Sequence, residues 1–534
     1  MIRLAPRPGK GLRSSLSGGW NRWACSMLQS GYCGEALLMS TSAKEERPPA
    51  STLVKGAKGG AVALAGQAAQ LVIQFVGTVV LARLLSPEDF GVFAMLVVFL
   101  GIGELIRDFG MPTAALQAKS LSEQQASNVF WVTAALSTAV AVLLVLAMPL
   151  IVALYDQPKL ALIGPVMAGV LVVNGLQAQY SVRLARQMRF STVTAIAVTA
   201  RLTGLGAGIV AALLGAGYWA LVIQAAAVAI TTLVSSVAVT RWLPQRPRRG
   251  HDSMPLLHTG MANGAANLLG YAADNADNLM IGAMWGAGPL GLYNRAFQLF
   301  MSAVMSFFNP LTSVVVPTAN RAIAEGRRAE DILARAQTAL CGPAIWLLLV
   351  TAATAEYLIP LLLGEQWKDA VPLLQILALG GAFKALSQTN YWAYLVEQQS
   401  KQLLLSNLVT KPIQIAFIVA AAFHSVEAVA WAFSLGRAIT WPINIIWLWK
   451  TTGQDPVRFG ANGMRLVGSA LAGFGAAAWL YNAVAFSSPW LAVLAGGVLS
   501  TLMFLAVAVL LPGGRREAVD AAMLARMIFS RTRQ

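Results

Sequence analysis

Charge is scarce in this chain: Asp, Glu, Lys and Arg make up 12% of its 534 residues, about half the share usual in soluble domains. That excludes an ordinary soluble fold. Cysteine numbers three, at Cys25, Cys33 and Cys341, a spacing that supports neither a disulfide framework nor a metal-ligand set. None of the three histidines, His251, His258 and His424, lies deep within an apolar stretch, so a histidine proton relay has no carrier. A phosphate-cradling Gly-x4-Gly-Lys-Ser/Thr loop is missing too. ATP is therefore not the expected driver, and no cofactor is expected.

What fills the chain instead is apolar sequence, 57% of all residues. Fourteen stretches run at 60–82, 88–106, 129–154, 160–180, 191–214, 217–240, 257–285, 290–318, 337–355, 370–394, 402–422, 427–449, 464–483 and 489–511. Segments such as Trp131 to Ala153, Tyr218 to Thr240 and Leu491 to Leu511 are apolar all round, the condition for helices in lipid. The sequence predicts an all-α polytopic membrane protein with about fourteen transmembrane helices in an inner membrane.

Basic residues orient it. Of 39 Lys and Arg, 31 fall on one side of these spans, three (Arg83, Lys159 and Lys368) on the other and five within them. The positive-inside rule then puts both termini in the cytoplasm. Topology thus accounts for the net charge of +16 without a nucleic-acid partner. Trp131, Tyr180, Trp219, Trp242, Trp285, Trp367 and Trp449 stand near span ends, where aromatic belts form. Residues 1–55, basic and rich in Ser and Gly, read as disordered, with Met39 as a second candidate start. A basic linker at 242–256 carries Arg246, Arg248 and Arg249, and residues 512–534 space Val519, Met523 and Met527 between arginines. Both would touch anionic lipid, the tail as an amphipathic helix.

Laid on itself with an offset of 200 residues, the chain repeats. Phe90-Gly91-Val92-Phe93 falls on Leu290-Gly291-Leu292-Tyr293, with Gln67 on Asn267, Gln74 on Asp274 and Thr78 on Asn278. The offset spans six helices, so the copies share one orientation. Two six-helix lobes, 56–241 and 257–450, are expected about a pseudo-two-fold axis along the membrane normal. Helices 13 and 14, within 451–511, would be an appendage. On a helical wheel Gln67, Gln70, Gln74 and Thr78 stay within about 80°, and Asn263, Asn267, Asp274 and Asn278 within about 60°. Such amides either bond across packed helices or line a cavity between the lobes.

The cations within spans are Arg201, Arg295, Lys384, Lys411 and Arg437. Facing lipid, each would cost roughly 2.5–3.5 kcal/mol, so they must face a cavity or carboxylates. The acids inside spans are Asp274 and Asp277, with Glu104 near a span end. A surplus of positive charge suits an anionic substrate such as a phosphate or pyrophosphate headgroup. Arg295 could instead pair with Asp277 across its hairpin, whereas Lys384, Lys411 and Arg437 have no local acid. Intramembrane carboxylates mark ion or substrate paths, which makes Asp274 and Asp277 candidates for ion coupling. Glu104, Arg107 and Asp108, at i, i+3 and i+4, would form either a cytoplasmic gate or a helix-end ion pair.

The segments LARLLSPEDFGVFAM (Leu81 to Met95), DFGMPTAALQ (Asp108 to Gln117), DNLMIGAMWGAGPLGLYNRAFQL (Asp277 to Leu299) and VVVPTANR (Val314 to Arg321) resemble the signatures of polysaccharide-transporter flippases. The likeness is to the Wzx-like branch of the multidrug/oligosaccharidyl-lipid/polysaccharide exporter superfamily, and it covers about residues 55–510. It implies movement of an undecaprenyl-pyrophosphate-linked oligosaccharide across a bacterial inner membrane by alternating access, in some members coupled to H+ or Na+. The product would pass to a polysaccharide polymerase and export proteins. The protein itself would be a monomer and no enzyme. Sugar contacts would come from groups such as Tyr271, Gln298, Gln388, Asn390, Tyr391 and Trp392. Three alternatives remain at this point: a membrane polysaccharide polymerase or glycosyltransferase, a drug/cation antiporter, whose cargo a basic cavity disfavours, and a peptidoglycan-precursor flippase of the same superfamily.

Overall fold

Lipid offers backbone groups no partner, so apolar stretches close their hydrogen bonds internally as helices. The computed structural model describes the backbone of residues 50–108, 122–247 and 254–511. Side chains at 50–64, at 254–267 and at several positions between 299 and 313 fall outside that description. So do the expectations for Asn263 and Asn267, for most of the DFGMPTAALQ motif and for the two terminal segments. The helices are α1 (Ala50–Leu84), α2 (Pro87–Asp108), α3 (Glu123–Leu146), α4 (Met148–Tyr155), α5 (Lys159–Arg186), α6 (Phe190–Leu213), α7 (Trp219–Thr240), α8 (Met254–Trp285) and α9 (Ala287–Ala324). They continue as α10 (Ala329–Ala336), α11 (Gly342–Ala353), α12 (Ala355–Leu363), α13 (Ala370–Val396), α14 (Ser400–Ala422), α15 (Val426–Thr452), α16 (Pro456–Ala483) and α17 (Pro489–Leu510). All fourteen apolar stretches fall largely on helix, the third broken at Ala147 between α3 and α4 and the ninth at Thr354 between α11 and α12, after a π turn at Gln337–Cys341. Among the described residues, ten helical segments have the length and hydropathy to cross a membrane.

Local signals set the boundaries. Ser122 and Gln125 form a capping box at α3, Ser425 accepts from Ala428 N at α15, and Asp455 caps α16 ahead of Pro456. At α2, Asp89 Oδ2 accepts from Ser86 N at 3.0 Å while Asp89 N donates to Ser86 Oγ at 3.2 Å. The Ser-Pro-Glu-Asp sequence is a helix start, with Pro87 in the first turn.

The 200-residue repeat becomes a contact. A Cβ on Gly91 would strike the backbone of Ala287, and one on Gly291 would strike that of Pro87. Pro87 and Ala287 are themselves one repeat apart, so each glycine lets the start of α2 lie against the start of α9 in the same way. At this end of the bundle the halves also exchange hydrogen bonds. Arg83 Nε donates to Leu362 O at 2.9 Å and its Nη2 donates to Leu361 O. In return Gln366 Nε2 donates to Ala82 O at 2.7 Å and Trp367 Nε1 to the same oxygen at 2.8 Å. Side chains of each half thus satisfy carbonyls that the last turn of α1 or α12 leaves without a helical partner.

Trp131, Trp285 and Trp449 are exposed at their helix ends, but Tyr180, Trp242 and Trp367 turn inward. Trp367 meets Phe90 edge-on at 5.5 Å. Trp242 packs on Phe130 and Tyr180 and donates to Glu123 Oε2 at 3.0 Å. With Gln245 N bonded to Ser127 Oγ at 3.1 Å, the start of the linker lies along α3. Helices α16 and α17 pair through Gly473 and Ser500 and join α11 by Trp346 Nε1, which donates to Thr501 Oγ1 at 3.1 Å.

Candidate functional site

Small residues open the first half. Gly204 and Gly208 let α6 approach α7 closely at Val228 and Gln224. A cavity of 820 Å³ lies among α1, α2, α5, α6 and α7, with Tyr271 of α8 and Arg295 and Gln298 of α9 contributing to its wall. Arg201 Nε donates to Gln70 Oε1 at 3.0 Å. The Arg295 guanidinium carbon sits 4.0 Å from the centre of the Phe90 ring, and its buried Nε has no hydrogen-bond partner. Both arginines are therefore held by neutral groups, an amide and an aromatic face. Gln74 and Thr78 also line the cavity, whereas Gln67 is exposed on α1 outside it. Tyr271 reaches across to α2, where its hydroxyl donates to Val98 O at 3.2 Å.

The other three intramembrane cations stand elsewhere. Lys411 Nζ lies 2.8 Å and Arg437 Nη2 3.1 Å from Asp274 Oδ1, with Lys384 Nζ 3.9 Å from Oδ2. Helices α13, α14 and α15 thus each present one cation to a single carboxylate on α8. None of these four residues lines the 820 Å³ cavity. Sequence placed all five cations together; the fold divides them two and three, and it supplies the acid that local sequence did not offer.

Asp277 has different company from Asp274. It is buried, accepting from Tyr293 OH at 2.7 Å and from Asn278 N at 2.8 Å, while Asn278 Oδ1 accepts from Asn294 at 3.1 Å. Its second oxygen is committed to a tyrosine rather than to Arg295. Glu104 and Arg107 also part ways. Glu104 faces the cavity within 3.4 Å of Asn174 Nδ2. Arg107 is buried near Gly175 of α5 and pairs through Nε with its neighbour Asp108 at 2.8 Å, the helix-end ion pair. Of the candidate sugar contacts, Tyr271 and Gln298 line the cavity, while Asn390 and Trp392 are in the core, Trp392 donating to Thr312 Oγ1 at 2.9 Å.

Sequence reasoning passed over Tyr293, Asn174 and the ring of Phe90. Tyr293 and Phe90 both lay inside the repeated motif, where an aromatic side chain reads as packing.

The chain matches the model of a family described as polysaccharide biosynthesis protein over residues 80–372. It is 23% identical over 289 residues to the teichuronic acid biosynthesis protein TuaB of Bacillus subtilis (strain 168), covering 54% of this chain and 60% of that protein. To the lipopolysaccharide biosynthesis protein WzxC of Escherichia coli (strain K12) it is 24% identical over 315 residues, 58% of this chain and 63% of that one. The matches thus span about three fifths of the length of these curated relatives. Among solved structures, the lipid II flippase MurJ in an inward closed conformation superposes with a TM-score of 0.67 at 12% identity, over 84% of this chain and 98% of that chain. That likeness is one of fold.

Proposed function

This chain belongs to the polysaccharide biosynthesis protein family, and from that premise we propose that it moves an undecaprenyl-pyrophosphate-linked oligosaccharide from the cytoplasmic to the outer leaflet. It is a multi-pass protein of the bacterial inner membrane and a transporter rather than an enzyme, so the polymerase and glycosyltransferase reading falls away. The observation that carries the proposal is the 820 Å³ cavity with Arg201 and Arg295 in its wall. Neither arginine there is neutralised by a carboxylate within ion-pair distance, and a pyrophosphate is a bidentate acceptor that matches guanidinium geometry.

In this reading fourteen spans place both termini in the cytoplasm. Residues 56–241 and 257–450 act as lobes about the Gly91–Gly291 crossing, with helices 13 and 14 appended. The reciprocal bonds of Arg83, Gln366 and Trp367 hold the outer end shut, and alternating access requires them to open. Of the two candidates for coupling to H+ or Na+, Asp277, with no ion pair among the described residues, is the one available, since Asp274 is held by Lys384, Lys411 and Arg437. The protein works as a monomer and hands its product to a polymerase and export proteins.

Deleting the gene and assaying lipid-linked repeat units by leaflet tests this. Cytoplasmic-leaflet accumulation of complete units, relieved by wild type but not by a membrane-inserted Arg201→Gln/Arg295→Gln variant, is the expected result. Accumulation of peptidoglycan precursors instead would assign the chain to that rival substrate.

A further inference from the structure

We propose that Asp274 is an internal counter-anion, and that Lys384, Lys411 and Arg437 form a second phosphate site which this carboxylate occupies until an oxyanion displaces it. The inference deepens the transport reading and rests on it.

The carboxylate is too small for the site it fills. Its Oδ1 takes both Lys411 at 2.8 Å and Arg437 Nη2 at 3.1 Å, while Lys384 stands off at 3.9 Å from Oδ2, an ion-pair separation beyond hydrogen-bond reach. Arg437 is 8% exposed, and its buried Nε has no acceptor. Three cations share one contacting carboxylate. Asp277 acts on Lys384 and Arg437 only through space, and the Phe297 and Phe433 rings lie beside these two, so the cluster keeps a surplus of positive charge with no anion in contact. The nearest further acid on α8, Asp277, is already engaged by Tyr293 and Asn278. A phosphate group would bring a second negative charge and three or more oxygens in a tetrahedral array. It could serve Lys384 directly and take Nε and Nη2 of Arg437 as a bidentate pair.

Access points the same way. The Asp274 side chain is 38% exposed, against 21%, 16% and 10% for Lys384, Lys411 and Arg437. The carboxylate is the least buried of the four, so it is the partner with most room to leave. It also stands three residues along α8 from Tyr271, whose ring lines the large cavity. An ionic clip built only for stability would need one cation, or two at most.

The test is binding of inorganic pyrophosphate and of farnesyl pyrophosphate to the full-length protein in lipid nanodiscs. Asp274→Asn removes the competitor without changing side-chain size. It should tighten pyrophosphate binding by on the order of tenfold, as expected when the binding-competent state no longer has to be freed first. The gain should vanish when Lys411→Gln is added. Asp274→Asn/Lys384→Gln, which restores the wild-type charge of the cluster, should also bind more tightly than wild type and keeps the question answerable if the single variant fails to insert. A gain shared by both probes assigns the site to a lipid headgroup; a gain confined to the inorganic anion assigns it to free phosphate. Unchanged or weaker binding in the inserted Asp274 variants overturns the inference. In that case, binding that still falls in Arg201→Gln/Arg295→Gln leaves the transport reading standing, and binding indifferent to every variant removes both.

Discussion

The two groups of intramembrane cations stand in opposite conditions. In the first-half cavity, Arg201 leans on an amide and Arg295 on a ring; in the second half, three cations crowd one carboxylate. A neutral partner orients a guanidinium without satisfying its charge, whereas a carboxylate does both. The same residue type thus stands open to a ligand in one region and, in the other, is held by a carboxylate that a ligand would have to displace. In a membrane bundle the compensating group, more than the number of cations, decides where an anion can enter.

The comparison requires both regions to be held side by side, so the largest effect should follow from disturbing their crossing. Gly91→Val or Gly291→Val drives a side chain into the opposite helix backbone. A loss of about 3 kcal/mol or more is expected, the upper end for overpacking, read as failure to recover monodisperse protein on size exclusion. Next, Lys384→Gln/Lys411→Gln/Arg437→Gln leaves Asp274 without a counter-ion; because that side chain is 38% exposed, the cost should be about 1–3 kcal/mol, visible in thermal unfolding. Arg201→Gln/Arg295→Gln strands no acid and should change stability by under about 1 kcal/mol. Its flipping rate should nevertheless fall on the order of tenfold or more, as charge-assisted contacts worth about 1.5–3 kcal/mol imply. Equal stability losses in the two multiple variants would erase the distinction.

Tyr293→Phe probes the boundary between the regions. Removing the hydroxyl that Asp277 accepts from at 2.7 Å should cost about 1–3 kcal/mol and leave pyrophosphate binding at either cation group intact. Smallest of all, Gln366→Ala removes hydrogen bonds to Ala82 O and Leu85 O and should lower the melting free energy by about 1 kcal/mol. Its signature would be faster labelling, by a membrane-impermeant thiol reagent, of a cysteine introduced into the cavity wall.

Sequence showed the helical stretches because span length and apolarity are local properties. It also showed the repeat, since Gly91 and Gly291 carry the same constraint at equivalent places. Which cations share a space was not legible. Lys411 and Arg437 reach Asp274 across 137 and 163 residues, a distance at which spacing says nothing about which helices become neighbours. Glu104 and Arg107 both meet α5, but Glu104 faces the cavity beside Asn174 while Arg107 is buried near Gly175 and pairs with Asp108. Trp367 resembled a belt residue until its indole proved to be bonded to Ala82 O.

The exchanged bonds between Arg83, Gln366, Trp367 and the carbonyls opposite them have one more consequence. Every acceptor in that seam is a neutral carbonyl at a helix end, where water can take over the moment the protein donor withdraws. In the proposed cycle, opening is therefore an exchange of solvation rather than a separation of opposite charges. Such a door should swing at nearly the same rate in dilute and concentrated salt, leaving ionic strength to act only on the cargo.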